Sequence, residues 1–284
     1  MTAKTLIGAE DLAAQLGDAR LRLFDCRFDL ARPAYGRAAY LDEHLPGAIY
    51  ADLNGDLSAP ATATSGRHPL PEPEVFAARL RAWGVDADSR VVAYDDGNGA
   101  YASRLWWMLR WLGHDDVAVL DGGMRRWLQL GLPLSDEEPA PAPGDFAARP
   151  RPGMAASAAE VLAAAASPAA RVLDARAAER YRGEVEPLDR VAGHVPGARN
   201  HPFGTSLDPQ GRFLPRQALR DALAASLDGA APRSTIVYCG SGVTACHLLL
   251  ALEHAGYAGA RLYPGSWSEW SRDPSRPVAT GAAP

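Results

Sequence analysis

The residue in this chain best placed to do chemistry is Cys239, because of what stands on either side of it. Ile236, Val237 and Tyr238 read as a short buried strand, and Leu248, Leu249, Leu252 and Ala255 recur at helical spacing. A loop that leaves a strand and enters a helix points consecutive backbone N–H groups inward, and Gly240 and Gly242 let that backbone curl tightly. The amides from Gly240 through Ser241, Gly242, Val243 and Thr244 to Ala245 would then form an anion cradle. A cysteine at its base would be held as a thiolate nucleophile, since the amides and the helix N-terminus both favour the negative form. Against this, a buried cysteine is by default an inert small hydrophobe, so position alone leaves both readings open.

The elements that must hold this loop occur twice. Leu21 to Phe24, ending in Asp25-Cys26-Arg27, returns as Val172-Leu173-Asp174-Ala175-Arg176. His44-Leu45-Pro46-Gly47-Ala48 returns as His194-Val195-Pro196-Gly197-Ala198. Val91 to Asp95 matches Ile236 to Cys239, and Val117 to Gly123 with Trp127 matches Arg261 to Ser266 with Trp267 and Trp270. Four landmarks in one order mark a duplication. Short apolar strands alternate with helical patterns at Pro73 to Trp83, Tyr101 to Leu112 and Pro215 to Leu227, which predicts an α/β fold with a mainly parallel sheet in each copy. The proline-rich stretch from Ser135 to Gly153 cannot build a core and reads as a linker, giving domains at 1–140 and 154–284.

Composition narrows the function. At 284 residues the chain can bury two cores, and a formal net charge of −5 with scattered arginines gives no footprint for nucleic acid. The N-terminus lacks the apolar core of a secretory signal and no stretch is long enough to cross a bilayer, so no membrane partner and a cytoplasmic location are expected. Three cysteines, Cys26, Cys239 and Cys246, form no disulfide pattern and fit a reducing compartment. Cys239, Cys246, His247 and His254 lie close in sequence but lack the paired short spacing of a metal site, so neither a metal nor another cofactor is expected.

The octet Cys-Gly-Ser-Gly-Val-Thr-Ala-Cys at 239–246 resembles the active-site loop of the rhodanese-type sulfurtransferases, in the form found in the 3-mercaptopyruvate branch. Gly-Arg-His-Pro-Leu-Pro at 66–71, Tyr94-Asp95, Arg104 to Trp107 and Asp121-Gly122-Gly123 extend that resemblance over nearly the whole chain. It implies two tandem rhodanese-like domains, each an open, mainly parallel sheet flanked by helices, with the nucleophile only in the second. Asp95 stands where the second copy has Cys239, and an acid cannot accept sulfur. The first copy is therefore expected to be a structural partner whose surface completes the site.

By that resemblance Cys239 takes a sulfur from a donor such as 3-mercaptopyruvate, becomes a persulfide, and passes the sulfur to a thiol, cyanide or thioredoxin. The loop amides would stabilise both thiolate and persulfide anion. Relatives that prefer thiosulfate place basic residues directly after the cysteine, whereas Gly240 and Ser241 are uncharged and favour a keto-acid donor. Arg180, in Glu179-Arg180-Tyr181, matches the arginine that grips the donor's carboxylate, and its guanidinium fork suits that group. Read from the residues alone, a solvated surface arginine is the lesser alternative. Arg190, at the end of Glu184 to Arg190, corresponds to the family's second arginine, though the stretch is shorter by a residue. Ser241 and His68 match two members of a proton relay; the third falls at Asn54, flanked by Asp52 and Asp56.

The repeated His44 and His194 and the repeated aspartate–arginine pairs occur in both copies, so structural roles are expected for them. Trp106, Trp107, Trp111 and Trp127 read as packing residues. Cys246 could serve as a redox partner for Cys239 or as a small buried residue. Two rivals fare less well. A cysteine phosphatase needs an arginine closing the loop, and this loop ends in Ala245 and Cys246. A binding-only module usually lacks the cysteine that this chain keeps.

Overall fold

The computed structural model describes residues 5–284 in two compact units. One comprises residues up to 59, 70–151 and 209–213; the other comprises 60–69, 152–208 and 214–284. The first unit runs β1 (Leu6–Ile7), α1 (Ala9–Ala13), β2 (Leu21–Asp25), α2 (Tyr35–Asp42), β3 (Ala48–Tyr50), α3 (Pro73–Ala82), β4 (Arg90–Tyr94), α4 (Ala102–Trp111), β5 (Val117–Leu120) and α5 (Gly123–Gln129). Its strands form one parallel sheet in the order β1-β5-β4-β2-β3. Every residue of β5, and β4 from Val91 on, is buried, as a parallel sheet covered on both faces requires. Pro73 supplies a preset φ at the start of α3, and α4 is buried from Ala102 through Leu109.

The second unit runs α6 (Ala158–Ala165), β6 (Arg171–Asp174), α7 (Ala178–Tyr181), β7 (Arg199–Asn200), α8 (Arg216–Leu227), β8 (Thr235–Tyr238), α9 (Thr244–Ala255), β9 (Arg261–Leu262) and α10 (Ser266–Trp270). The strands are again parallel, in the order β7-β6-β8-β9. Ser157 opens α6 with a capping box closed by Glu160. Leu219, Leu223 and Leu227, four apart, make the buried stripe of α8. Tyr238, Tyr263, Trp267 and Trp270 join Val172, Val195 and Ile236 in the core of this unit.

The repeated landmarks fasten corresponding strand ends. Arg27 folds back on Asp25 and donates to the Glu43 carbonyl at 2.6 Å; Arg176 folds back on Asp174 and donates to the Gly193 carbonyl at 2.7 Å. His44 stacks on Tyr40 and bonds its carbonyl, and His194 does the same with Tyr181. Residues 135–151 group with the first unit and are anchored by their backbone. Gly144 donates to the Arg81 carbonyl, Arg149 to that of Leu112 and Arg151 to that of Trp111, while Phe146 is buried. Most other side chains in that stretch face solvent, consistent with its prolines and charges. Among the described residues, no helix is long and apolar enough to cross a membrane.

Candidate active site

The chain leaves β8 at Tyr238 and enters α9 at Thr244, with Cys239 at the turn and only 2% exposed. Gly242 has φ +78°, and a Cβ there would sit 2.5 Å from the Pro264 carbonyl oxygen, so both the turn and the close approach demand glycine. The turn after β9 clamps the base of the loop. Cys239 N–H donates to Ser266 Oγ at 3.1 Å, Trp267 N–H to the Cys239 carbonyl at 2.9 Å, and Ser268 N–H to the Gly240 carbonyl at 2.9 Å. Ser266 itself has φ +53°, a region that side chains avoid. The first unit has Gly123 at the matching place with φ +52°. The serine tolerates the strain while its hydroxyl holds the nucleophile's own amide. Ser266 was not singled out from sequence, and the signal was a serine replacing a glycine between the two repeats.

Ser241, the second residue of the loop, lies beside His68, with 2.7 Å between Ser241 Oγ and His68 Nδ1. Both are buried, and both belong to the second unit, because residues 60–69 group with it. Gly66 permits this placement: a Cβ there would meet the Gly265 carbonyl oxygen at 2.5 Å. Of the carboxylates flanking Asn54, Asp52 accepts from Gly55 N–H and Tyr50 Oη, while Asp56 pairs with Arg79 at 2.7 Å. Both are engaged within the first unit.

The loop carries no cation of its own, yet cations stand beside it. A Cβ on Gly240 would lie 3.0 Å from Arg67 Nη2, 3.4 Å from Arg180 Nη1 and 3.6 Å from Arg180 Nη2. The uncharged loop is thus flanked at Gly240 by two guanidiniums. The charges come from the 60–69 segment and from α7, which no local pattern around Cys239 reveals. Arg67 pairs with Asp189, while Arg180 pairs with Glu186 at 2.7 Å and Asp189 at 3.4 Å. Arg176 also reaches Glu186 at 3.3 Å. Burial pushes the Asp189 carboxyl up, with Glu186 acting in the same direction and the two guanidiniums opposing it. Arg190 is exposed, on the rim of a cavity of about 430 Å³ that Arg67, Asp189, Ser268, Ser271 and Arg272 also line. The geometry therefore assembles Cys239, Gly240, Ser241, His68, Arg180 and Arg67 in one place, with Arg190 at the outer edge.

The first unit shows what a filled cradle looks like. Asp95, 1% exposed, accepts from the N–H groups of Gly97 at 3.0 Å and Gly99 at 2.9 Å on one oxygen, and from Tyr101 at 2.9 Å and Ala102 at 3.2 Å on the other. Of the other cysteines, Cys26 is buried, and burial with the Asp25 and Asp95 charges pushes its thiol well up, away from nucleophilic character. Cys246 is fully buried on α9 and its thiol donates to the Gly242 carbonyl at 3.2 Å, so it braces the loop from behind. All three are unbridged.

Two parallel α/β repeats, one with a cysteine under its strand-to-helix turn and one with an acid in that place, define a tandem protein whose repeats differ at the turn. The chain belongs to the rhodanese family: the Rhodanese-like domain profile matches residues 8–130 and 157–273. It is 50% identical to a probable 3-mercaptopyruvate sulfurtransferase of Pseudomonas aeruginosa over 99% of this chain and 100% of that one. It is 42% identical, over 99% of this chain and 98% of the other, to a Mycobacterium tuberculosis protein carrying the provisional name thiosulfate sulfurtransferase SseB. Among solved structures it is similar to SseA from Escherichia coli, described among 3-mercaptopyruvate sulfotransferases. That match has a TM-score of 0.81 and 35% identity, and covers 94% of this chain and 100% of SseA.

Proposed function

We propose that this chain is a sulfurtransferase that moves a sulfur atom from 3-mercaptopyruvate, through a persulfide on Cys239, to a thiophilic acceptor. The observation that carries the reading is the assembly of Cys239, the Ser241–His68 pair at 2.7 Å and the Arg180 guanidinium around one uncharged loop. The Cys239 thiolate attacks the donor's sulfur; an S–S bond forms and the C–S bond breaks, its electron pair leaving with carbon as the enolate of pyruvate. A proton must reach that carbon, and the Ser241 hydroxyl hydrogen-bonded to His68 is placed to deliver it. Loop amides stabilise the persulfide anion until a thiol, cyanide or thioredoxin accepts the outer sulfur. Arg180, with Arg190 at the cavity rim, would bind the donor's carboxylate.

Thiosulfate is the second reading, favoured by the two guanidiniums beside Gly240 and by the name of the Mycobacterium relative. The three unbridged cysteines suit a reducing, cytoplasmic setting. The deciding experiment loads the protein with each donor, reads one added sulfur on Cys239 by intact mass, and compares kcat/KM. Higher efficiency with thiosulfate would overturn the donor assignment, and no adduct with either would overturn the activity.

A further inference from the structure

Of the Arg67–Asp189–Arg180 bridge beside Gly240, only Arg180 has a role in the reading above. Arg67 Nη1 pairs with one oxygen of Asp189, and Arg180 Nη2 lies 3.4 Å from the other. Arg67 Nη2 lies nearer than either Nη of Arg180 to the place a Cβ on Gly240 would occupy. Its Nε–H is buried without a hydrogen-bond acceptor among the described residues, a donor left over in a site that should hold an anion.

Charges in the cluster balance without a donor. Arg67, Arg180 and Arg176 stand against Asp189, Glu186 and Asp174, with side chains at most 22% exposed. A carboxylate that passes Arg190 on the cavity rim and enters this cluster would add an unbalanced negative charge in a partly desolvated place, so one internal carboxylate must give way to it. Glu186 is firmly held: Arg176, Arg180 and the N–H groups of Leu188 and Asp189 all bond it. Asp174 is locked by Arg176 at the end of β6. Among the described residues the Asp189 carboxylate, unlike its backbone, is held by the two guanidiniums in question alone; it lies in a segment without regular structure and lines the cavity.

We propose that Arg67 and Arg180 together form the seat for the donor's carboxylate, and that the Asp189 carboxylate occupies this seat until the donor displaces it. Arg67 is then a donor-binding residue and Asp189 an internal competitor that sets the donor's KM. The inference rests on the donor being a carboxylate or another anion that loads Cys239.

Steady-state kinetics on the full chain test it, with intact mass first confirming which donor places sulfur on Cys239. With 3-mercaptopyruvate, Arg67→Met should raise KM roughly tenfold or more while kcat changes less, and Arg67→Lys should recover part of the loss. Asp189→Asn, which removes the same ion pair but keeps the guanidinium, should lower KM several-fold. If the bridge serves only to hold the loop, Arg67→Met and Asp189→Asn will shift KM in the same direction, and the proposal fails. It fails equally if Arg67→Met leaves KM unchanged in a protein whose thermal unfolding matches wild type. Should wild type load only with thiosulfate, the mercaptopyruvate assignment is lost, and the opposite signs expected for the two variants are read with thiosulfate instead.

Discussion

Replacing Asp95 by alanine removes a carboxylate that four amides share, three of them buried and that of Tyr101 partly buried. Hydrogen bonds to a charged acceptor contribute about 1.5–3 kcal/mol each, and a buried donor left unpaired costs about 1–3 kcal/mol. Gly97, Gly99, Tyr101 and Ala102 would all lose their acceptor. Water entering the vacated space recovers part of this, so the expected loss is about 3–5 kcal/mol. For a unit of this size that lowers the melting temperature by roughly 6–20 °C. Asp95→Asn keeps one accepting oxygen and turns an NH₂ toward the other pair of amides, so about half the loss is expected. Differential scanning calorimetry measures the shift, and amide hydrogen exchange at residues 97, 99, 101 and 102 localises it. An alanine variant that melts within about 1 °C of wild type, with those amides still protected, would refute the view that the carboxylate holds this turn together.

Ser266→Gly relieves a left-handed serine but deletes the acceptor of the Cys239 amide; stability should change by under about 1 kcal/mol while kcat falls several-fold, measured by urea unfolding beside turnover. Ser241→Ala and His68→Gln each break the 2.7 Å bond and should lower kcat with 3-mercaptopyruvate by roughly 10²-fold or more, with smaller effects on thiosulfate, which needs no proton at carbon. Gly242→Ala forces a Cβ against the Pro264 carbonyl at positive φ, and should cost at least about 1–2 kcal/mol and nearly all turnover. Glu160 is pulled down to about 2 by the Ser157 amide, then by Arg261 and the Ser157 hydroxyl. A depressed carboxyl stabilises above its unfolded pKa and loses that contribution as pH falls through its folded one. Glu160→Gln should therefore destabilise by under about 1 kcal/mol at neutral pH, and the difference should fade as pH drops from 4.5 toward 2 in paired urea melts.

Local patterns gave the fold away and distant pairings did not. Apolar runs marked β2, β4, β6 and β8, and the helical spacing at 73–83, 101–112 and 215–227 met helices differing only by a capping residue at one or both ends. Each of those signals lies within about a dozen residues, the range over which burial imposes periodicity. Cys239 was legible because its glycines and flanking elements are contiguous with it. Arg67 was not, because its partner Asp189 lies 122 positions away, and nothing in Gly66-Arg67-His68 says which carboxylate it meets. The Gly240-Ser241 pair was legible as uncharged, but nothing local says that the absent side chain at 240 leaves room for the Arg67 guanidinium, with that of Arg180 beside it. The stretch 135–153 reads as a linker from composition, whereas the backbone anchoring at Gly144, Arg149 and Arg151 that joins 135–151 to the first unit has no sequence signature.

The grouping of residues 60–69 with the second unit bears on how this duplication can evolve. A gene split at the 151/152 division would give a downstream product with Cys239, its loop and Arg180, yet with neither His68 nor Arg67. The reciprocal excursion, 209–213, would leave the upstream product short of the segment in which Phe213 N–H bonds the Asp121 carboxylate. Each half has become hostage to ten or fewer residues encoded in the other. Recombination that shuffles single repeats would thus yield incomplete proteins, even though only one of the two copies carries a cysteine at the turn.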